Sequence, residues 1–128
     1  MSRVALIGAG QSVFSRKYPG SLRELVFEGY KEAMEGAGIT NSDIDATIVC
    51  SAPEYDKQRS PAGVIAEYLG LNPQPTIYVE SLCSSSSSGL RLAYSLVKSG
   101  LHDVVMVLGV QIMSQISSAE SQERMGRG

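Results

Sequence analysis

Hydrophobic and polar positions along this chain alternate between two spacings. Short apolar, β-branched runs at Arg3 to Gly8, Ala46 to Ser51, Thr76 to Glu80 and Val104 to Val110 predict strands. The last is a continuous apolar run, of the kind buried on both faces of a sheet. Between the runs the spacing becomes helical. After the loop Ala9 to Gly20, Ser21-Leu22-Arg23-Glu24 is a capping box just beyond the breaker pair Pro19-Gly20. From it Leu22, Leu25, Val26, Gly29, Ala33 and Ala37 trace one stripe, so a helix runs to about Gly36, with Gly36 and Gly38 as its stop. Asp43-Ile44-Asp45 leads into the second strand, which ends before Pro53. Ser60-Pro61 opens a short helix that Gly70 closes. A helix also follows the third strand. Its polar residues Arg91, Ser95 and Lys98 recur at helical spacing, the rest of its surface is apolar, and Gly100 ends it. The order βαβαβαβ over residues 1–110 predicts an α/β domain with a mainly parallel sheet and right-handed crossovers. Residues 111–128 carry only weak periodicity and read as the start of a loop or oligomerisation segment.

Composition narrows the function classes. The chain has 128 residues, enough for one domain with an unstapled core, and is 43% hydrophobic and 19% charged. A net charge of -2 leaves no basic footprint for nucleic acid or an anionic membrane. No stretch approaches the ~20 apolar residues of a membrane span. Val4 to Ala9 is too short for a signal core, so a cytoplasmic location is expected. Cys50 and Cys83 lack metal-ligand spacing and there is one histidine, so no metal site is expected.

The candidate chemistry centres on Cys83. It stands where the third strand ends and a helix begins, followed by five serines, Ser84 to Ser88, and Gly89. A thiol there meets the positive end of a helix dipole and unpaired backbone N–H groups, which favours the nucleophilic thiolate. The serines are expected to satisfy N-terminal amides and keep the first helical turns thin. A hydrolase elbow needs Gly-x-Ser-x-Gly, and only Gly89 is available, so a serine nucleophile is disfavoured. Gly8-Ala9-Gly10 lacks the third glycine of a dinucleotide fingerprint, since Val13 occupies that place; it reads as a tight turn without a ligand. Cys50 reads as a small buried hydrophobe. A helix terminus supplies only about 0.3–1 kcal/mol, so Cys83 needs a base. The single histidine, His102, follows the far end of the same helix, roughly 24 Å away at ~1.5 Å rise per residue. It is expected to cap that helix, which leaves the nucleophile without its base.

These residues together resemble the N-terminal half of a thiolase, of the archaeal and sterol-carrier-protein-like acetyl-CoA acetyltransferase branch. The resemblance runs from Arg3-Val4-Ala5-Leu6-Ile7-Gly8-Ala9-Gly10-Gln11-Ser12-Val13-Phe14 through Ser42-Asp43-Ile44-Asp45-Ala46 and Val79-Glu80-Ser81-Leu82-Cys83. It ends with Leu90-Arg91-Leu92-Ala93-Tyr94 and the exit Gly109-Val110-Gln111-Ile112-Met113-Ser114. It implies a thiolase-like α/β half with a buried helix starting at Cys83. It also implies that Cys83 is acylated by an acyl-CoA, with coenzyme A as substrate carrier and no further cofactor. The family pattern is commonly Cys-x-Ser-Gly; here Ser85 keeps the serine, Ser86 replaces the glycine, and Gln111 stands where a glutamate is common. The family's catalytic histidine, second cysteine and most CoA contacts would follow residue 128. The resemblance therefore implies a truncated or separately encoded half, inactive alone and completed by a C-terminal half chain. It further implies a homo-oligomer in which the strand Thr76 to Glu80 pairs with its twofold mate. Two other readings stay open: a non-catalytic thiolase-like assembly module, and a condensing enzyme of the ketoacyl synthase or hydroxymethylglutaryl-CoA synthase type.

Overall fold

The computed structural model describes residues 3–52 and 58–127. Its centre is β1, Ala46–Cys50, in which every residue is buried. β2, Thr76–Val79, and β3, Val105–Gly109, flank it in a parallel sheet of order β2-β1-β3. Thr47 stands opposite Thr76, and Ile48 opposite both Ile77 and Val107. Side chains alternate across the sheet, as strand geometry requires. On one face Ile48 and Cys50 pack with Ala93 of helix α3, Ser85–Lys98. On the other, Val49 and Leu108 join residues of α1, Leu22–Ala37, and α2, Pro61–Tyr68. Leu22, Val26 and Met34 come from α1, and Ile65 and Ala66 from α2. The result is the expected α/β class, a parallel sheet between helical layers. Among the described residues no helix is long and apolar enough to cross a membrane.

The expected caps of α1 are present, and Pro61 opens α2, although the Ser60 side chain makes no capping bond there. Ser21 and Glu24 form the capping box of α1, and Gly38 closes it at φ +67, its N–H donating to the Met34 carbonyl at 2.9 Å. Asn41 then ties three elements together. Its carboxamide accepts from the Tyr30 hydroxyl and donates to the Leu69 carbonyl at 2.7 Å.

Four details differ from expectation. Arg3 to Gly8 is not a strand: both edges of β1 are taken by β2 and β3, and Leu6 is 88% exposed. The segment instead crosses α1. A Cβ on Gly8 would lie 2.4 Å from the Ala33 carbonyl oxygen, and one on Gly10 would lie 2.0 Å from that of Gly29. Gly8-Ala9-Gly10 is thus a close backbone approach to the small-residue stripe of α1 rather than a tight turn. Secondly, β3 is an edge strand, half-buried from Val105 to Val107, buried at Leu108 and exposed at Gly109, because no strand covers its outer side among the described residues. Thirdly, α3 is buried on one face only, through Ser85, Gly89 and Ala93, while Leu90 and Tyr94 are exposed. Lastly, the weakly periodic tail contains helix α4, Ser118–Met125. Ser117 caps it by accepting the Glu120 N–H, and Glu120–Arg124 and Glu123–Arg127 pairs brace it one turn apart. Within that tail Ile112 and Ile116 are buried. The predicted strand end at Pro53, and Gly128, lie outside the described residues.

Candidate active site

All three strands end at the same edge of the sheet, where loops of a parallel α/β sheet gather ligands. From β1 emerge Ser51 and Ala52, from β3 Val110 and Gln111, and from β2 the turn that carries Cys83. These exits are fastened to one another. The Gln111 carboxamide oxygen accepts the Ala52 N–H at 2.9 Å and the Ser51 hydroxyl at 3.3 Å. The Tyr78 hydroxyl donates to the Ser51 carbonyl at 2.6 Å.

Cys83 sits in a 3-10 turn, Leu82–Ser84, and α3 proper begins at Ser85. The helix therefore starts two residues later than expected, though the thiol still stands at the strand-to-helix junction. Its side chain is exposed. The turn is built by the serines and by Glu80. Ser84 Oγ donates to the Ser81 carbonyl at 2.8 Å and lies 2.6 Å from Ser81 Oγ. Ser85 Oγ accepts the Ser81 N–H at 2.8 Å and donates to the Leu82 carbonyl at 2.7 Å. The Glu80 carboxylate accepts the Leu82 N–H. The serines thus brace the turn ahead of α3 more than they cap its first amides. They also keep it thin: a Cβ on Gly109 would meet Ser86 Oγ at 2.5 Å.

Cys50 is buried, and desolvation pushes its thiol above the ordinary value, as suits an inert core residue. His102 lies past the far end of α3. It caps through its backbone, the N–H donating to the Leu96 carbonyl at 3.3 Å. Next to it the Asp45 carboxylate accepts the Val104 and Asp103 N–H groups, both at 2.8 Å, which hold its carboxyl below the usual range. The structure therefore does not bring His102 to Cys83. The sequence alone assigns no site role to Glu80 or Tyr78, and marks Ser85 and Gln111 only as positions of the family pattern. An acid three residues before the thiol and a serine two residues after it were the available signals. Two open depressions, one beside Arg23 and Gln115 and one between Arg16 and Met125, are not lined by Cys83. No cluster of potential metal ligands occurs among the described residues.

The described residues thus form a parallel α/β layer with an exposed cysteine on the turn from strand to helix. Residues 4–127 match the family model of the thiolase N-terminal domain. The chain belongs to the thiolase family. It is 44% identical to an acetyl-CoA acetyltransferase of Methanocaldococcus jannaschii, over 96% of this chain and 34% of that protein. It is 32% identical to a beta-ketoacyl-[acyl-carrier-protein] synthase III of Rickettsia prowazekii, over 72% of this chain and 29% of that protein. The crystal structure of 3-oxoacyl-[acyl-carrier-protein] synthase III from Aquifex aeolicus superposes with a TM-score of 0.69 at 21% identity, covering 77% of this chain and 32% of that one. The chain spans about a third of the length of these relatives.

Proposed function

We propose that this chain supplies the nucleophile of a thiolase-type enzyme that transfers acyl groups between CoA thioesters. The observation that carries the reading is Cys83, exposed on a braced turn at the carboxyl edge of the sheet, within the segment that matches the family. A base takes the Cys83 proton, and Sγ bonds to the thioester carbonyl carbon as the carbonyl electron pair moves onto oxygen. The Cys83 backbone N–H is one donor to that oxyanion. The pair returns, the bond from carbon to the CoA sulfur breaks, and CoA leaves as thiolate and collects the proton. Acyl-Cys83 remains. It is discharged either to CoA or to the carbanion of a second acyl-CoA.

The base and the CoA site come from outside this chain, in a C-terminal portion or a partner polypeptide, and the chain alone is inactive. Coenzyme A is the carrier of the substrate, and the enzyme is a cytoplasmic oligomer. Intact-mass analysis after incubation with acetyl-CoA tests this. An acetyl adduct at Cys83 in the completed enzyme is expected. Labelling at Cys50 instead, or none in the completed enzyme, refutes it. A second reading, a condensing enzyme acting on acyl-carrier-protein thioesters, is favoured by the Rickettsia relative. It requires acyl-Cys83 to be discharged by a carrier-protein thioester and not by CoA.

A further inference from the structure

The peptide that joins β2 to α3 is gripped from both ends, and we propose that Glu80 and Ser85 are positioning residues that aim the Cys83 sulfur at the acyl carbon. This rests on the acyl-transfer reading above. Leu82 has φ +48 and is the sole non-glycine residue with positive φ among the described residues. That region is strained for a residue with a Cβ, and such strain persists only where the surroundings impose it. Apolar burial does not impose it here, since Leu82 is 51% exposed. Hydrogen bonds do.

The Leu82 N–H is held by the Glu80 carboxylate, a charge-assisted bond stronger than a neutral one. The Leu82 carbonyl is held by Ser85, through its hydroxyl at 2.7 Å and its backbone N–H. Ser85 also takes the Ser81 N–H and is 5% exposed, packed in the first turn of α3. One jaw of the clasp therefore belongs to the end of β2 and the other to a helix seated on the sheet. Cys83 follows the strained residue directly. If either jaw opens, Leu82 relaxes toward negative φ and the Cα–Cβ bond of Cys83 turns with it. Acyl transfer needs the sulfur about 3–3.5 Å from the carbonyl carbon on a defined approach, and a misplacement of ~1 Å costs on the order of a hundredfold in rate.

The test compares two electrophiles on the completed enzyme. Single-turnover acylation of Cys83 by acetyl-CoA demands orientation, whereas alkylation by iodoacetamide, small and free to approach from any side, does not. Glu80→Ala is expected to slow acylation by about 30- to 100-fold with KM unchanged. Alkylation should continue at the wild-type rate. Ser85→Ala should do the same, and Glu80→Gln, which keeps a carbonyl acceptor for the Leu82 N–H, should recover most of the acylation rate. Should loss of the clasp weaken the fold, Glu80→Ala/Leu82→Gly relieves the strain; it should restore the thermal midpoint but not acylation, because glycine is free to leave the left-handed region. Wild-type acylation by Glu80→Ala, failure of Glu80→Gln to rescue, or equal losses toward both reagents would overturn the proposal. A wild-type enzyme never acylated at Cys83 would remove the acyl-transfer reading itself, and the positioning role with it. Acylation that survives unchanged in the variants removes the positioning role alone.

Discussion

Gly89 is where the seating of α3 is decided, and Gly89→Ala has a definite expected outcome. A Cβ there would lie 2.3 Å from Cys50 Sγ and 3.4 Å from both Ile48 Cγ2 and Val107 Cγ1. Ordinary heavy-atom contact is about 3.5–4.0 Å, so the approach to sulfur is too short by about 1.2–1.7 Å while the two methyl contacts are tolerable. Cys50 is 1% exposed on the fully buried central strand and has nowhere to retreat. Overpacking of this kind costs about 1–3 kcal/mol, and the severity of the overlap puts it at the upper end. Against this, alanine in a helix interior is favoured over glycine by about 1 kcal/mol. The expected net loss is about 2 kcal/mol. Gly36→Ala, likewise in a helix (α1) but with nothing within 4 Å of its Cβ, should gain about 0.5–1 kcal/mol and serves as the control. In a Cys50→Ala background the offending sulfur is gone, so Gly89→Ala should become neutral or stabilising. The coupling in that double-mutant cycle should reach about 2–3 kcal/mol. Urea unfolding followed by circular dichroism at constant m-value measures all four corners. Additive effects, or a Gly89→Ala chain as stable as wild type, would refute the account of how α3 meets the sheet.

Two further outcomes follow from other sites. Thr47 and Thr76 stand opposite each other in the sheet, and the hydroxyl of each is buried without a partner among the described residues. Thr47→Val keeps the shape and removes one such hydroxyl, so it should raise stability by about 1 kcal/mol in urea unfolding; an unchanged or lower midpoint would mean the hydroxyl is satisfied. Asp45 has its carboxyl held below the ordinary range by the Val104 and Asp103 N–H groups. Its contribution is thus complete above the unfolded value near ~3.9 and is lost as pH falls through the lower folded value. Asp45→Asn should lower the urea midpoint at neutral pH, and its gap from wild type should shrink on acidification below about pH 4. A gap independent of pH would refute the assignment.

What could be read in advance divides along physical lines. Local signals held: Ser21 with Glu24 set the start of α1, and the left-handed glycines at 38, 70 and 100 follow α1, α2 and α3. The same local chemistry recurs at Ser117 and Glu120 in α4, where a largely polar surface hides the helical period. Neighbour-dependent features were less legible. The run Arg3 to Gly8 has strand composition, but composition does not supply an adjacent strand, and the sheet has none beside it. Val104 to Val110 looked like a central strand, yet centrality belongs to β1, whose Thr47 interrupts its apolar pattern. At the site, the thiol and its junction were visible from Cys83 and Gly89. The grip of Glu80 and Ser85 was not, because it depends on a backbone conformation that leucine rarely adopts.

That grip and the seating of α3 are one mechanical system. The buried residues of α3 are Ser85, Gly89 and Ala93, spaced by four and all small, so the helix comes close to β1 along a single line. Ser85 sits at the head of that line and holds Leu82, while Ser86 beside it fits against Gly109 at the exit of β3. Moving the helix outward at Gly89 therefore moves the jaw that sets Leu82, and with it the direction of Cys83. This closeness accounts for Ser85, whose short side chain is buried and whose hydroxyl holds the turn, whereas Ser84 and Ser87 are exposed. A Cβ at position 109 would lie 2.5 Å from Ser86 Oγ but 3.7 Å from its Cβ, so a side chain there would require the Ser86 hydroxyl to turn away.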